Sequence, residues 1–171
     1  IRDVERSSGL GDCIRDRINT TDFSELNKLI ENNYNNPENI NTRILKLMSD
    51  IRLLLIAYNK IKSKKGNISK GSNNITLDGI NISYLNKLSK DINTNMFKFS
   101  PVRRVEIPKT SGGFRPLSVG NPREKIVQES MRIILEIIYN NSFSNYSHGF
   151  RPNLSCLTAI IHCKNYMQHC N

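Results

Sequence analysis

Two basic side chains flank a glycine pair in the middle of the chain, at a spacing that suits phosphate binding. Lys109 and Arg115 lie on either side of Gly112 and Gly113. The glycines favour a tight turn between two short β-type runs and allow other groups to approach the backbone closely. Across such a hairpin, an ammonium and a guanidinium can face one volume, which suits a triphosphate or a nucleic-acid backbone. A solvated tip with two ordinary surface cations is the alternative, and both interpretations stay open.

A second candidate contact surrounds Gly149. His148 and Arg151 lie close together in the sequence Ser-His-Gly-Phe-Arg-Pro and suit a phosphate or a base. The alternative is a corner between two helices. For Phe150 we favour that corner, with its ring packed in the core. For Arg151 both interpretations stay open.

The charge of the chain is high and unevenly distributed. The net charge is +10, which favours a polyanionic partner, nucleic acid before an anionic membrane. Residues 1–42 hold more acidic than basic side chains, whereas residues 43–171 are strongly basic. One acid-free cluster consists of Lys60, Lys62, Lys64, Lys65 and Lys70. A second consists of Lys98, Arg103, Arg104, Lys109, Arg115, Arg123 and Lys125, interrupted by Glu106 and Glu124.

The cysteines do not have the spacing of a metal site. Cys156, Cys163 and Cys170 recur every seven residues, a rise of about 10.5 Å along a helix. Zinc needs all its ligands within about 2.3 Å of one point. We therefore expect buried free thiols on one helix face and no metal.

Other catalytic patterns are weak. No Asp or Glu lies at a sequence spacing from a histidine that would indicate a catalytic pair, and there is no Gly-Lys-Ser/Thr phosphate loop. Glu124, Glu129 and Glu136 are expected to be solvated charges paired with neighbouring cations. No apolar run approaches the roughly 20 residues of a membrane span.

Apolar periodicity predicts five helices and one hairpin. A short helix begins at Thr21 or Asp22, and the Asn-rich run 32–37 ends it as a linker. Further helices are expected over 42–62, 83–93 and 122–140, and from 155 past 167, with strands over 102–107 and 114–119. Asn121 is the expected N-cap of the fourth helix. The buried face of that helix is expected to hold Ile126, Val127, Met131, Ile134, Leu135 and Ile138.

Three segments, in the same order and spacing, resemble one protein family. They are Phe-Lys-Phe-Ser-Pro-Val-Arg-Arg-Val-Glu-Ile-Pro-Lys (97–109), Gly-Phe-Arg-Pro-Leu-Ser-Val-Gly-Asn-Pro-Arg-Glu-Lys-Ile-Val-Gln-Glu (113–129) and Ser-His-Gly-Phe-Arg-Pro (147–152). They are similar to the fingers region of group II intron reverse transcriptases, the intron-encoded maturases. The fungal mitochondrial members are the most similar, and the richness in Asn, Ile and Lys agrees with an AT-rich organellar genome.

The resemblance implies a mixed α/β fold of the α+β type. It would be the helix-rich fingers subdomain of a right-hand reverse transcriptase with a basic antiparallel β-hairpin and a truncated palm. Residues 1–42 would be an N-terminal extension or linker, 43–96 a helical region with a lid over the template, and 97–171 the fingers hairpin and following helices. The chain is expected to end before the palm aspartates, so it should make no DNA alone.

The resemblance also implies residue roles. Lys109, Arg115, Phe150 and Arg151 would contact the incoming dNTP. Template and intron RNA would contact Lys62, Lys64, Lys65, Lys70, Arg103, Arg104, Arg123 and Lys125. The intact enzyme would use Mg²⁺ held by residues outside this chain. It would act in the mitochondrial matrix, with a homodimer as one option for its assembly.

The implied function is RNA-directed DNA synthesis and intron splicing, serving retrohoming on an RNA template with a DNA primer. A stand-alone RNA-binding splicing or assembly module without polymerase activity is the alternative. A basic structural subunit whose helices 122–140 and 155–168 form oligomer contacts is a third reading.

Overall fold

The computed structural model describes residues 23–36, 38–64 and 69–168. The helices are α1 (Ser24–Asn35), α2 (Ile44–Met48), α3 (Ile51–Lys62), α4 (Ile82–Asn93), α5 (Glu124–Tyr139) and α6 (Cys156–Gln168). The strands β1 (Arg103–Pro108) and β2 (Phe114–Val119) lie between α4 and α5. This mixture of helices with one antiparallel hairpin agrees with the α+β class. The predicted contact Lys65, the predicted helix starts Thr21 and Asp22, and Cys170 lie outside the described residues.

Helix α1 continues through most of the Asn-rich run, so the prediction of a linker over residues 32–35 is wrong. Asn33 is almost fully buried. Its Nδ2 donates to the Leu29 carbonyl and to Asn41 Oδ1, both at 2.8 Å, and Asn41 Nδ2 donates back to Asn33 Oδ1 at 2.8 Å. Because its amide is fully paired, Asn33 can be buried where an unpaired amide could not.

The predicted helix over residues 42–62 is divided in two, which corrects the sequence analysis. Asp50 has an extended backbone, and its carboxylate accepts a hydrogen bond from the Arg52 backbone N–H at 2.8 Å, as an N-cap does. Ser49 is fully buried, with its Oγ 2.7 Å from Asn93 Oδ1 on α4. The polar pair at residues 49 and 50 thus starts a new helix inside a continuous apolar pattern.

The core forms where α3 packs on α5, with α1 and α4 alongside. Its fully buried aliphatic side chains include Leu26, Leu53, Leu54, Leu85, Ile126 and Ile134. Burial of each such side chain contributes about 1.5–3 kcal/mol. This helical core is the support from which the hairpin extends.

The buried face of α5 differs from the predicted one. Ile133 and Ile137 are buried, whereas Met131 and Leu135 are exposed and the prediction for them is wrong. The helix carries apolar residues on more than one side, so periodicity alone did not identify which side faces α3.

The hairpin is nearly detached from that core. Its register runs from Arg103↔Val119 to Pro108↔Phe114. Paired residues share a face, so Arg115, opposite Ile107, lies on the face that also carries Arg103 and Leu117. Every residue of both strands is exposed or half-buried.

Helix α6 exposes the thiols that were expected to be buried. Cys156 and Cys163 are free and exposed, and no side chain of α6 is buried among the described residues. The expectation of buried thiols is therefore wrong for these two cysteines. Within the described ranges, no helix is long and apolar enough to cross a membrane.

Candidate nucleic-acid interface

The hairpin turn brings Lys109 and Arg115 to one concavity. The Lys109 backbone N–H donates to the Gly113 carbonyl at 3.0 Å, and the Gly112 N–H donates to the Lys109 carbonyl at 3.2 Å. Gly112 and Gly113 both have φ near +80° (+87° and +77°), which explains the glycine pair. The concavity is lined by Ile107, Pro108, Lys109, Thr110, Ser111 and Arg115.

The hairpin cations face solvent rather than protein carboxylates. Lys109 and Arg115 are exposed, and within the described part of the chain neither forms an ion pair. Arg103 and Arg104 are also exposed, and as successive strand residues they point to opposite faces. An exposed cation without a carboxylate partner can bind phosphate without first breaking an internal contact.

The cations at the base of the hairpin are engaged differently. Arg123 donates through Nε to the Thr76 carbonyl at 3.1 Å and through Nη2 to the Asp78 carbonyl at 3.2 Å, and it lies 4.9 Å from the Tyr84 ring centroid. Lys125 is half-buried in the first turn of α5. Arg123 therefore anchors residues 76–78, and its RNA contact stays a prediction.

Three predicted RNA-binding lysines border the segment that follows α3. Lys62, at the end of α3, is exposed with its Nζ 5.9 Å from the Tyr58 ring centroid. Lys64 and Lys70 are exposed on either side of residues 65–68. These positions suit contacts with a polyanion, and their roles stay predictions.

The corner after α5 contradicts the expected core position of Phe150. Phe150 is fully exposed and has a left-handed backbone (φ 57°). Arg151, in contrast, is half-buried and donates to three backbone carbonyls: Asn140 and Ser147 at 3.0 Å and Ser144 at 3.1 Å. The guanidinium holds the corner together, and the roles of both residues at the nucleotide stay predictions.

Sequence reasoning missed a histidine pair behind that corner. His148 Nε2 lies 3.1 Å from His162 Nδ1, and His148 Nδ1 lies 2.9 Å from Thr158 Oγ1. Tyr146 stacks on His162 with ring centroids 5.1 Å apart. The 14-residue separation of the two histidines gave no sequence signal, because they lie on a loop and a helix.

A buried carboxylate ties α3 to α5 and corrects the expectation of a solvated Glu129. Glu129 is 8 % exposed, with Oε1 2.8 Å from Arg132 Nη2 and 3.5 Å from Lys60 Nζ. Burial raises the pKa of Glu129, but the Arg132 hydrogen bond and the positive charges of Arg132, Lys60 and Lys64 outweigh it, so its pKa lies below 4.5. Burial followed by the Arg132 charge lowers the pKa of Lys60.

The described carboxylates do not fit a Mg²⁺ site. No group of three His, Cys, Asp or Glu side chains in the described ranges converges on one point. Glu129 and Glu136 both bind Arg132 instead, the latter at 2.6 Å. Magnesium prefers several oxygen ligands in octahedral geometry, so the Arg132 pairing leaves these two carboxylates unsuited to the metal.

Curated proteins give the chain its family. It is 92 % identical over 155 residues to the COX1/OXI3 intron 2 protein of Saccharomyces cerevisiae. The aligned region covers 91 % of this chain and 18 % of that relative. The intron 1 protein of the same yeast is 53 % identical over 146 residues, 85 % of this chain and 17 % of the relative. The group II intron-encoded protein LtrA of Lactococcus lactis is 35 % identical over 136 residues, 79 % of this chain and 23 % of the relative. The chain belongs to the group II intron-encoded protein family. This confirms the resemblance drawn from the three sequence segments.

The similarity has a defined extent. The chain spans less than a quarter of the length of each of these curated relatives. No protein-family model matches it.

Proposed function

We propose that this chain is the N-terminal and fingers part of an RNA-directed DNA polymerase and maturase of the group II intron family. Its hairpin binds the incoming dNTP through Lys109 and Arg115. The observation that carries the proposal is that both cations line one concavity, exposed and without an ion pair among the described residues. An ammonium and a fork-shaped guanidinium together match the separate charges of a triphosphate.

The nucleic-acid partners follow from the remaining exposed cations. Group II intron RNA and an RNA template paired with a DNA primer are the partners we propose. Arg103 and Arg104 on the hairpin contact their phosphates, together with Lys62, Lys64 and Lys70 on either side of residues 65–68. Binding by such cations releases counterions and therefore weakens steeply with salt.

The proposal for the full-length protein also includes its metal, its location, the processes it serves and its assembly. Nucleotidyl transfer needs Mg²⁺, which would be held by carboxylates other than those described. The relatives named for COX1 introns support a mitochondrial location, with the matrix as the compartment. Intron splicing and retrohoming are the processes served, with a homodimer as one assembly.

Primer extension by the full-length protein on an RNA template tests the triphosphate role. Lys109→Ala and Arg115→Ala should each raise the KM for dNTP about tenfold or more, because a hydrogen bond to a charged group contributes about 1.5–3 kcal/mol. Lys87→Ala, which removes an exposed lysine on α4, is the matched control and should leave the KM unchanged. Equal KM values in all four proteins would refute the role. Tight RNA binding with no extension by the unmodified protein would favour the RNA-binding module instead.

A further inference from the structure

A buried amide lies where the hairpin returns to the helices. Asn121 follows β2, is 1 % exposed, and precedes α5 by three residues. Its Nδ2 donates to Glu124 Oε1 at 3.0 Å, and the same oxygen accepts the Ser100 backbone N–H at 3.1 Å. The amide therefore connects, through Glu124, to the segment that leads into β1. Asn121 does not cap α5 as the sequence predicted, because its side chain is used in these contacts.

The other end of the same amide holds the loop before α4. Asn121 Oδ1 accepts the Asn73 backbone N–H at 3.4 Å and lies 3.3 Å from Ser72 Oγ. The Ser72 hydroxyl also donates to the Pro101 carbonyl at 2.7 Å. Residues 72 and 73 are thus joined to both sides of the hairpin base.

Close packing at Gly71 reinforces this contact. Gly71 is buried, and a Cβ placed there would lie 2.7 Å from Asn121 Cα and closer still to its Oδ1. Such a distance is too short for any side chain, so the loop can reach Asn121 only with glycine at this position.

We propose that Asn121 is a positioning residue that locks the loop of residues 69–79 to the base of the β1–β2 hairpin. The lock sets the angle at which the hairpin presents Lys109 and Arg115. It also holds Lys70, the residue before Gly71, beside the hairpin base, so that the RNA-facing loop and the nucleotide-facing tip move as one unit. This proposal rests on the proposed function for the role of the tip, although the lock itself does not.

An amide is the side chain that this position requires. It must accept from the loop through one atom and donate to Glu124 through the other, and both atoms are buried. An aspartate would place two carboxylate oxygens about 3 Å apart, where like charges repel. An apolar residue would remove the acceptor of the Asn73 N–H, and the loop would lose this contact with the hairpin base.

An exchange of amide and carboxylate gives the sharpest test. In the full-length protein, Asn121→Asp should speed hydrogen exchange of the backbone amides in residues 71–79 and 100–103 about tenfold, with residues 126–137 unchanged. It should also raise the dNTP KM about five- to twentyfold with a smaller effect on kcat. Adding Glu124→Gln lets an amide N–H donate to the carboxylate at position 121, but the Ser100 N–H then loses its acceptor. The double variant should therefore recover the exchange rates of residues 71–79 and most of the KM, but not the exchange rates of residues 100–103.

A second pair of variants keeps the test independent of charge. Gly71→Ala should reproduce the exchange and KM changes of Asn121→Asp by displacing the amide. Gly120→Ala, next to Asn121 but with open space around a Cβ and an ordinary φ, is the matched control and should behave as the unmodified protein.

The outcomes separate the lock from the proposed function. Unchanged exchange in residues 71–79 on Asn121→Asp, or no recovery in the double variant, would overturn the lock. Faster local exchange with an unchanged KM would overturn the effect on the hairpin tip. If Lys109→Ala also leaves the KM unchanged, the proposed function of the tip fails, while the exchange data still decide whether the lock exists.

Discussion

The hairpin tip and the corner after α5 carry similar residues but use them in opposite ways. At the tip, Lys109 in the turn and Arg115 on β2 face solvent, and no residue of either strand is fully buried. At the corner, the Arg151 guanidinium is occupied by the carbonyls of Asn140, Ser144 and Ser147. A cation surrounded by backbone carbonyls stabilises the fold, whereas a cation on a projecting hairpin is available to a ligand. Residue type and local motif do not distinguish the two situations; the neighbouring acceptors do.

Removing the corner guanidinium should have the largest effect on folding. Arg151→Ala leaves the three carbonyls without their donor and should lower the free energy of unfolding by about 2–3 kcal/mol. Urea denaturation of the protein measures this change. Arg151→Lys should recover only part of the loss, because one ammonium cannot reproduce the guanidinium fork. An Arg151→Ala protein as stable as the parent would remove the contrast between corner and tip.

The Glu129 network should give an intermediate effect with a defined pH dependence. Glu129→Gln should cost about 1–3 kcal/mol at neutral pH, because Lys60 and Arg132 lose the charge they share. The pKa of Glu129 is lower in the folded state, so its contribution is full above pH 4.5 and is lost as the pH falls through the folded value.

Denaturation of both proteins between pH 7 and pH 3 checks the sign. The difference in stability between parent and Glu129→Gln should shrink as the pH drops below about 4.5. Glu136→Gln, which removes a less buried partner of the same arginine, is the control and should give a smaller difference. A gap that widens on acidification would contradict the assigned pKa direction.

The hairpin arginines should have the smallest effect on folding and a clear effect on RNA. The double variant Arg103→Ala/Arg104→Ala should change the free energy of unfolding by less than about 0.5 kcal/mol, because both side chains are exposed. Its RNA affinity should fall, and the slope of log affinity against log salt should flatten by roughly 1.4–1.8 for two lost phosphate contacts. An unchanged salt slope would show that these arginines do not meet phosphate.

The parts of the molecule that sequence predicted well depend on neighbouring residues. The strands, the glycine turn and the extent of α4 follow from alternation, turn chemistry and helical periodicity within about a dozen residues. For the same reason the three family segments were recognisable. Each of these patterns can be recognised from a short stretch of sequence, without knowing which other parts of the chain it contacts.

The parts it missed depend on distant partners. At the break before α3, Asp50 caps the helix locally, but Ser49 is held by Asn93, 44 positions later. The use of Asn121 at the hairpin base comes from Ser72 and Asn73, 49 and 48 positions earlier. The exposure of Met131, Leu135 and Cys156 likewise depends on which helix faces meet, and periodicity records only that an apolar face exists.

The most direct test of the account compares Arg115→Ala with Arg151→Ala in the same full-length protein, with dNTP KM and free energy of unfolding measured for each. We expect each substitution to change a different quantity. Arg115→Ala should raise the KM about tenfold or more at unchanged stability, and Arg151→Ala should lose about 2–3 kcal/mol of stability. If Arg115→Ala lowers stability but leaves the KM unchanged, the hairpin tip is not the triphosphate site.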